Sequence, residues 1–244
     1  MSDVTRDPVA PADDKERDTI GALLRRVPAE DIPADGCLLT AEQLEERLVS
    51  ASVGVPQLSL VAGGDVMLGG RARKPIARYG RSYPFEAVLP LMKRSPIVVA
   101  NLEGPFASKS EKLPRRHSYR VRPRMATALS EAGVNVVSLA NNHLLDCGRA
   151  GVLETLEALE QSGVAAIGGG VDQVAAHQPV IRRAGSETIG LLAYYWNRRC
   201  AATATLPGSA MDSFQDLESD IRGLQGKADR IAVLFHWGVP YERE

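Results

Sequence analysis

Residues 134–148 read VNVVSLANNHLLDCG. Val134 to Leu139 form a largely apolar, β-branched run suited to a buried strand. The run stops at Ala140-Asn141-Asn142-His143, residues that a core strand does not select, and Gly148 and Gly151 then open a helical pattern. The stretch therefore reads strand, polar loop, helix, and in open α/β sheets sites are built in such loops at the carboxyl ends of strands. Three other apolar runs end the same way. LSLVAGGDVML delivers Asp65, PIVVANLEGP delivers Asn101 and Glu103, and IAVLFHWG delivers His236.

Asp65, Glu103, Asn142 and His236 make a mixed oxygen and nitrogen donor set. Carboxylates and an amide oxygen suit hard cations, and imidazole adds a preference for manganese, iron or zinc. A carboxylate bridging two divalent ions is the two-metal arrangement for phosphoester hydrolysis. His143, beside Asn142, is placed to give a proton to a leaving oxygen. Each residue alone has a plainer reading: Asp65 as a cap or turn residue, Asn141 and Asn142 as turn formers, His236 as a hydrogen-bonded core residue. Their joint occurrence at four strand ends favours metal.

The chain has 244 residues, 44% of them apolar, enough for one large domain with a tail and a sizeable core. A formal net charge of −1 argues against a global attraction to nucleic acid or membrane. Cys37, Cys147 and Cys200 are odd in number and far apart, which suits a reducing compartment. Cys147, although close to His143, reads as a small buried hydrophobe. His117 and His177 read as structural. The first 18 residues hold no apolar core of a secretory signal, and no apolar run reaches membrane-spanning length, so a cytoplasmic location is expected.

Residues 1–19 are rich in Pro, Ala and Asp and are expected to be a disordered tail, and 20–57 a helical appendage or linker. The α/β domain is expected over 58–244. Strands are expected at 58–62, 96–100, 134–139 and 231–235, and in VAAIGGG and TIGLLAYYW; helices in PFEAVLPLMKR, MATALSEAG, 149–162 and 212–225; 197–211 reads as a loop. Val152, Leu153, Leu156 and Leu159 recur at helical spacing, and Gly163 is placed to end that helix.

Two loops after site-bearing strands are basic. Residues 71–81 hold five cations and no acid, and 109–124 hold seven cations against Glu111 alone. Such a collar would attract an anionic substrate, with Arg115, Arg116, Arg120 and Arg122 as its contacts, unless these loops are simply solvated surface.

Taken together, GGDVMLG, NLEGP, AGVNVVSLANNHLLDCG running into a G-x-L-x-T-L helix, and the closing HWG resemble the CapA-type proteins of capsule and poly-γ-glutamate synthesis, within the calcineurin-like metallophosphoesterase superfamily. The resemblance runs from about Leu58 to the C-terminus. It implies a two-sheet α/β sandwich flanked by helices, with a dinuclear centre at the strand ends. Asp65, Glu103, Asn142 and His236 would be metal ligands and His143 the proton donor. Two departures stand out. Met67 occupies a position where much of the superfamily has histidine. The family also continues past HWG to a further strand and a G-H-x-P-H-like loop, whereas this sequence ends at Tyr241–Glu244. A fragment or a shortened member, with that part missing, is expected to bind metal and to catalyse less well and to keep an uncovered sheet edge.

Two functions follow as expectations. One is a metal-dependent phosphoesterase-like protein of anionic-polymer synthesis; the other is a non-catalytic binding or assembly subunit for such a polymer. A cytoplasmic branch of the family, or a membrane-anchored partner, would reconcile a capsule role with the lack of a signal in the sequence. A metal-free α/β enzyme of small molecules would require the strand-end side chains to point apart.

Overall fold

The computed structural model describes residues 60–109, 112–113, 118–211 and 213–237, all within one compact unit, Glu45–Glu244. The expected tail, the 20–57 segment, the first two residues of the expected domain, and Arg115, Arg116 and His117 lie outside the described residues.

In chain order the strands are β1 (Leu60–Val66), β2 (Ile97–Leu102), β3 (Val136–Ser138), β4 (Ala165–Ile167), β5 (Gly169–Gly170), β6 (Val180–Ala184), β7 (Glu187–Tyr195), β8 (Gly208–Ser209) and β9 (Arg230–His236). The helices are α1 (Arg73–Tyr79), α2 (Leu89–Arg94), α3 (Ala126–Glu131), α4 (Gly148–Gln161), α5 (Gln173–Ala176) and α6 (Phe214–Gly223). The first sheet runs β1-β2-β3-β4, all parallel. The second runs β6-β7-β9, with β6 antiparallel and β9 parallel to β7; β5 and β8 form a separate antiparallel ribbon. This is the expected two-sheet α/β sandwich flanked by helices.

The layering follows from side-chain alternation. In β7, Ile189, Leu191, Ala193 and Tyr195 join the core shared with Ile97, Val99, Val136 and Val137 of the first sheet. Leu192 and Tyr194 point the other way, onto Leu217 and Leu224 at α6 and its end. Gly190 makes that approach possible, because a Cβ there would lie 2.9 Å from Leu224 Cδ1. α3, through Ala126, Ala128 and Leu129, and α4, through Val152, Ala158 and Leu159, pack into the core of the first sheet. Four consecutive β2 residues, Ile97 to Ala100, are at most 1% exposed, as a central parallel strand requires.

Several boundaries differ from expectation. PFEAVLPLMKR is two pieces, a 3-10 turn at Tyr83–Phe85 and then α2, because Pro90 opens a new helix rather than continuing one. VAAIGGG divides at Gly168, whose φ of +70° turns the chain out of the first sheet and into the ribbon. The 197–211 loop contains a 3-10 turn and β8. β6 was not anticipated: Arg182 and Arg183 side by side break the apolar signal, although burial still alternates along the strand. In α4, Leu153 is 46% exposed and the fully buried Thr155 takes the inner face instead, its Oγ1 accepting from Phe106 N. Gly163 does follow the end of α4, at φ +72°. Among the described residues no helix is long and apolar enough to cross a membrane.

Candidate metal centre

β1 and β2 stay in register from Leu60–Ile97 to Ala62–Val99, and the next partners are Asp65 and Asn101. β1 therefore carries one extra residue, a bulge at Gly63-Gly64. A bulge bends the strand and re-aims the side chain after it, here Asp65. β2 ends at Leu102 with Glu103 just beyond, β3 hands over to the Asn141–His143 loop, and β9 ends on His236. β1, β2 and β3 of the first sheet and β9 of the second bring residues at or just past their carboxyl ends to one place.

Donor atoms of Asp65, Glu103 and His236 lie within 4.8 Å of one another. Asn142 reaches this cluster through His236, its Oδ1 standing 2.9 Å from His236 Nε2. His143 Nε2 lies 3.5 Å from Glu103 Oε1, while its Nδ1 is 2.8 Å from Asp146 Oδ2. The expected side chains thus converge, and a metal-free reading that requires them to point apart does not describe this geometry. The donor chemistry fits a divalent cation: two carboxylates and an imidazole. Glu103 faces two ways, Oε2 accepting from Asn101 and Oε1 turned to His143.

The electrostatics follow the crowding. Burial, then the Asp65 charge, push the Glu103 carboxyl above its usual range, against the His236 and His143 charges and the Asn101 hydrogen bond. For His143, burial disfavours the imidazolium, but the Asp146 hydrogen bond and charge, with Glu103 and Asp65 behind, outweigh it and the net direction is up. Asp146 is itself buried and accepts from Tyr119 N at 2.6 Å, and the Tyr119 ring lies 4.7 Å from that of His143.

Of the four predicted substrate contacts, Arg120 and Arg122 are exposed on the segment that leaves Tyr119, and Arg115 and Arg116 fall outside the described residues. Cys147 is a buried thiol, as expected; burial pushes it up to about 11. His177 is structural, bonded to Asp220 at 2.7 Å and edge-on to Tyr194. Two residues take parts that the sequence does not assign: Asn101, read there only as the end of a strand, and Asp146. Asn101 stands between the carboxylates, its Nδ2 donating to Asp65 Oδ1 and Glu103 Oε2 at 2.7 Å each. Asp146 is the partner of His143, and its signal was the acid three residues after that histidine.

The family described as bacterial capsule synthesis protein PGA_cap matches residues 59–244. The capsule biosynthesis protein CapA of Bacillus anthracis is 27% identical over 198 residues, 77% of this chain and 48% of that protein. A probable polyglutamine synthesis accessory protein of Mycobacterium tuberculosis is 26% identical over 80% of this chain and 53% of its own length. The PGA biosynthesis protein CapA of Bacillus subtilis is 23% identical over 74% and 49%. The chain thus spans about half the length of the curated relatives it matches. Among solved structures, the NAD nucleotidase of Haemophilus influenzae aligns at a TM-score of 0.44, with 15% identity, over 65% of this chain and 28% of that one.

Proposed function

The chain belongs to the bacterial capsule synthesis protein family, and from that premise we propose that its strand-end cluster is a divalent-metal site of phosphoesterase type serving the synthesis of an anionic polymer such as poly-γ-glutamate. The observation that carries this reading is the convergence of Asp65, Glu103 and His236 donors within 4.8 Å, delivered by strands of both sheets. Asp65, Glu103, Asn142 and His236 would hold the metal. When bound, the ions, by preference manganese, iron or zinc, would offset phosphate charge and make water acidic enough to attack at neutral pH.

The chain's own residues supply the rest. Asp146 holds Nδ1 of His143 by a hydrogen bond, which leaves its Nε2 facing Glu103 of the cluster. In the protonated form favoured by its surroundings, that Nε2–H is the proton for the leaving oxygen. Arg120 and Arg122, with the cations of α1, hold the anionic substrate at the rim.

The test is elemental analysis of the purified chain together with turnover of a generic phosphodiester. Near-stoichiometric manganese, iron or zinc is expected in the wild type, lost in Asp65→Ala and kept in His143→Ala, whose turnover falls by about 10²–10⁴-fold. Absence of both metal and turnover sinks the reading and leaves a non-catalytic binding or assembly subunit for the polymer.

A further inference from the structure

Asn141 is fully buried beneath the cluster and was not assigned a part in it. Its Oδ1 accepts the backbone N–H of His143 at 2.9 Å, and its Nδ2 donates to the backbone carbonyl of Leu102 at 2.9 Å and to Asn101 Oδ1 at 3.0 Å. Side-chain amides can be turned end for end, but backbone groups cannot. An N–H and a C=O of the main chain therefore fix which end of Asn141 is oxygen. Asn141 in turn fixes Asn101: with its oxygen taken by Asn141, Asn101 turns its NH2 to the cluster, against Asp65 Oδ1 and Glu103 Oε2 at 2.7 Å each and, at a longer 3.3 Å, His236 Nδ1.

We propose that Asn101 and Asn141 form a positioning relay that sets the Asp65 and Glu103 carboxylates against the His143 loop. Neither asparagine is a ligand in this arrangement: Asn101 Oδ1 points away from the cluster, toward Asn141. The relay rests on the metal-site reading for its consequence, but its geometry stands without metal. Partners one step out from the ligands commonly control metal affinity by 10–100-fold, and a carboxylate pair this close needs donors to stay in place before a cation arrives.

Two substitutions probe it in the full chain. Asn101→Ala removes the donors to both carboxylates at a half-buried position. Asn141→Asp keeps shape and the acceptor for His143 N–H, but replaces the donor facing Leu102 O and Asn101 Oδ1 with an oxygen. With Mn²⁺ alone as the probe in calorimetric titration, each variant is expected to bind about 10–100-fold more weakly than wild type. Because both cut the same relay, the double variant is expected to be no weaker than the worse single one. Unchanged affinity, tighter binding, or losses that multiply in the double variant overturn the proposal. A metal-free readout separates it from the parent reading: two asparagine side-chain NH2 pairs in the NMR spectrum of the wild type are expected to resist hydrogen exchange, and Asn101→Ala removes one and speeds the other. Free exchange of both pairs in wild type overturns the relay itself. Slow exchange with no Mn²⁺ uptake by wild type overturns the metal reading, and with it the relay's role in metal binding.

Discussion

At the scale of single residues, the informative pair is His143 and Asp146. Asp146 is the first of the groups that lift the imidazolium against burial, so removing its charge should let burial prevail. In Asp146→Asn the amide oxygen can still accept from Tyr119 N and His143 Nδ1. The alkaline limb of the pH–rate profile is therefore expected to move to lower pH, with metal content unchanged. A rate profile that does not shift would remove Asp146 from the proposed mechanism. The ligand-type residues themselves were legible, since Asp65, Glu103, Asn142, His143 and His236 each interrupt an apolar run at its carboxyl end. Asn101 ends such a run too, yet its part was hidden, because the direction of its hydrogen bonds depends on Asn141, forty positions away.

Elements decide how the site meets its surroundings. The Gly69-Gly70 turn that leads into α1 lies under Tyr119, since a Cβ on Gly70 would come 3.5 Å from that ring. The Tyr119 ring in turn lies against His143, so the basic segment starts at the wall of the site. Arg71, Arg73, Lys74 and Arg78 are all exposed there, and Arg78 sits 5.1 Å over the Tyr79 ring. Replacing Arg71, Arg73 and Lys74 together by alanine is expected to weaken binding of poly-L-glutamate by roughly tenfold at low salt, and by less at high salt as screening removes the difference. Equal binding by variant and wild type would place the polymer elsewhere. The elements that sequence missed share a cause. β6 carries paired arginines, and the Gly168–Gly170 run changes sheets within three residues, where no periodicity has room to register.

The whole molecule sets the pH range in which the core survives. Burial pushes the Cys147 thiol up to about 11 from an ordinary 9.0, and burial foremost pushes the Tyr195 phenol up to about 12 from 10.0. Both groups hold their protons in the folded chain at pH values where the unfolded chain releases them. Stability is therefore expected to be unaffected by these groups below pH 9, to fall as pH rises through 9 to 11 with Cys147, and further through 10 to 12 with Tyr195. The thermal midpoint of Cys147→Ala should decline less steeply over the first interval than that of wild type; identical slopes would locate the alkaline loss in other groups.

β9 gives the molecule a temporal property as well. Asp65, Glu103 and His143 come from the first sheet, but His236 arrives on the last described strand, which among the described residues pairs with β7 of the second. During synthesis, the carboxylates leave the ribosome well over a hundred residues before the His236 imidazole of the cluster. Contacts so distant in sequence form late. If the proposed centre binds its ion, a nascent chain would carry only part of the donor cluster, and tight uptake of the ion would serve as a timestamp for the docking of β9.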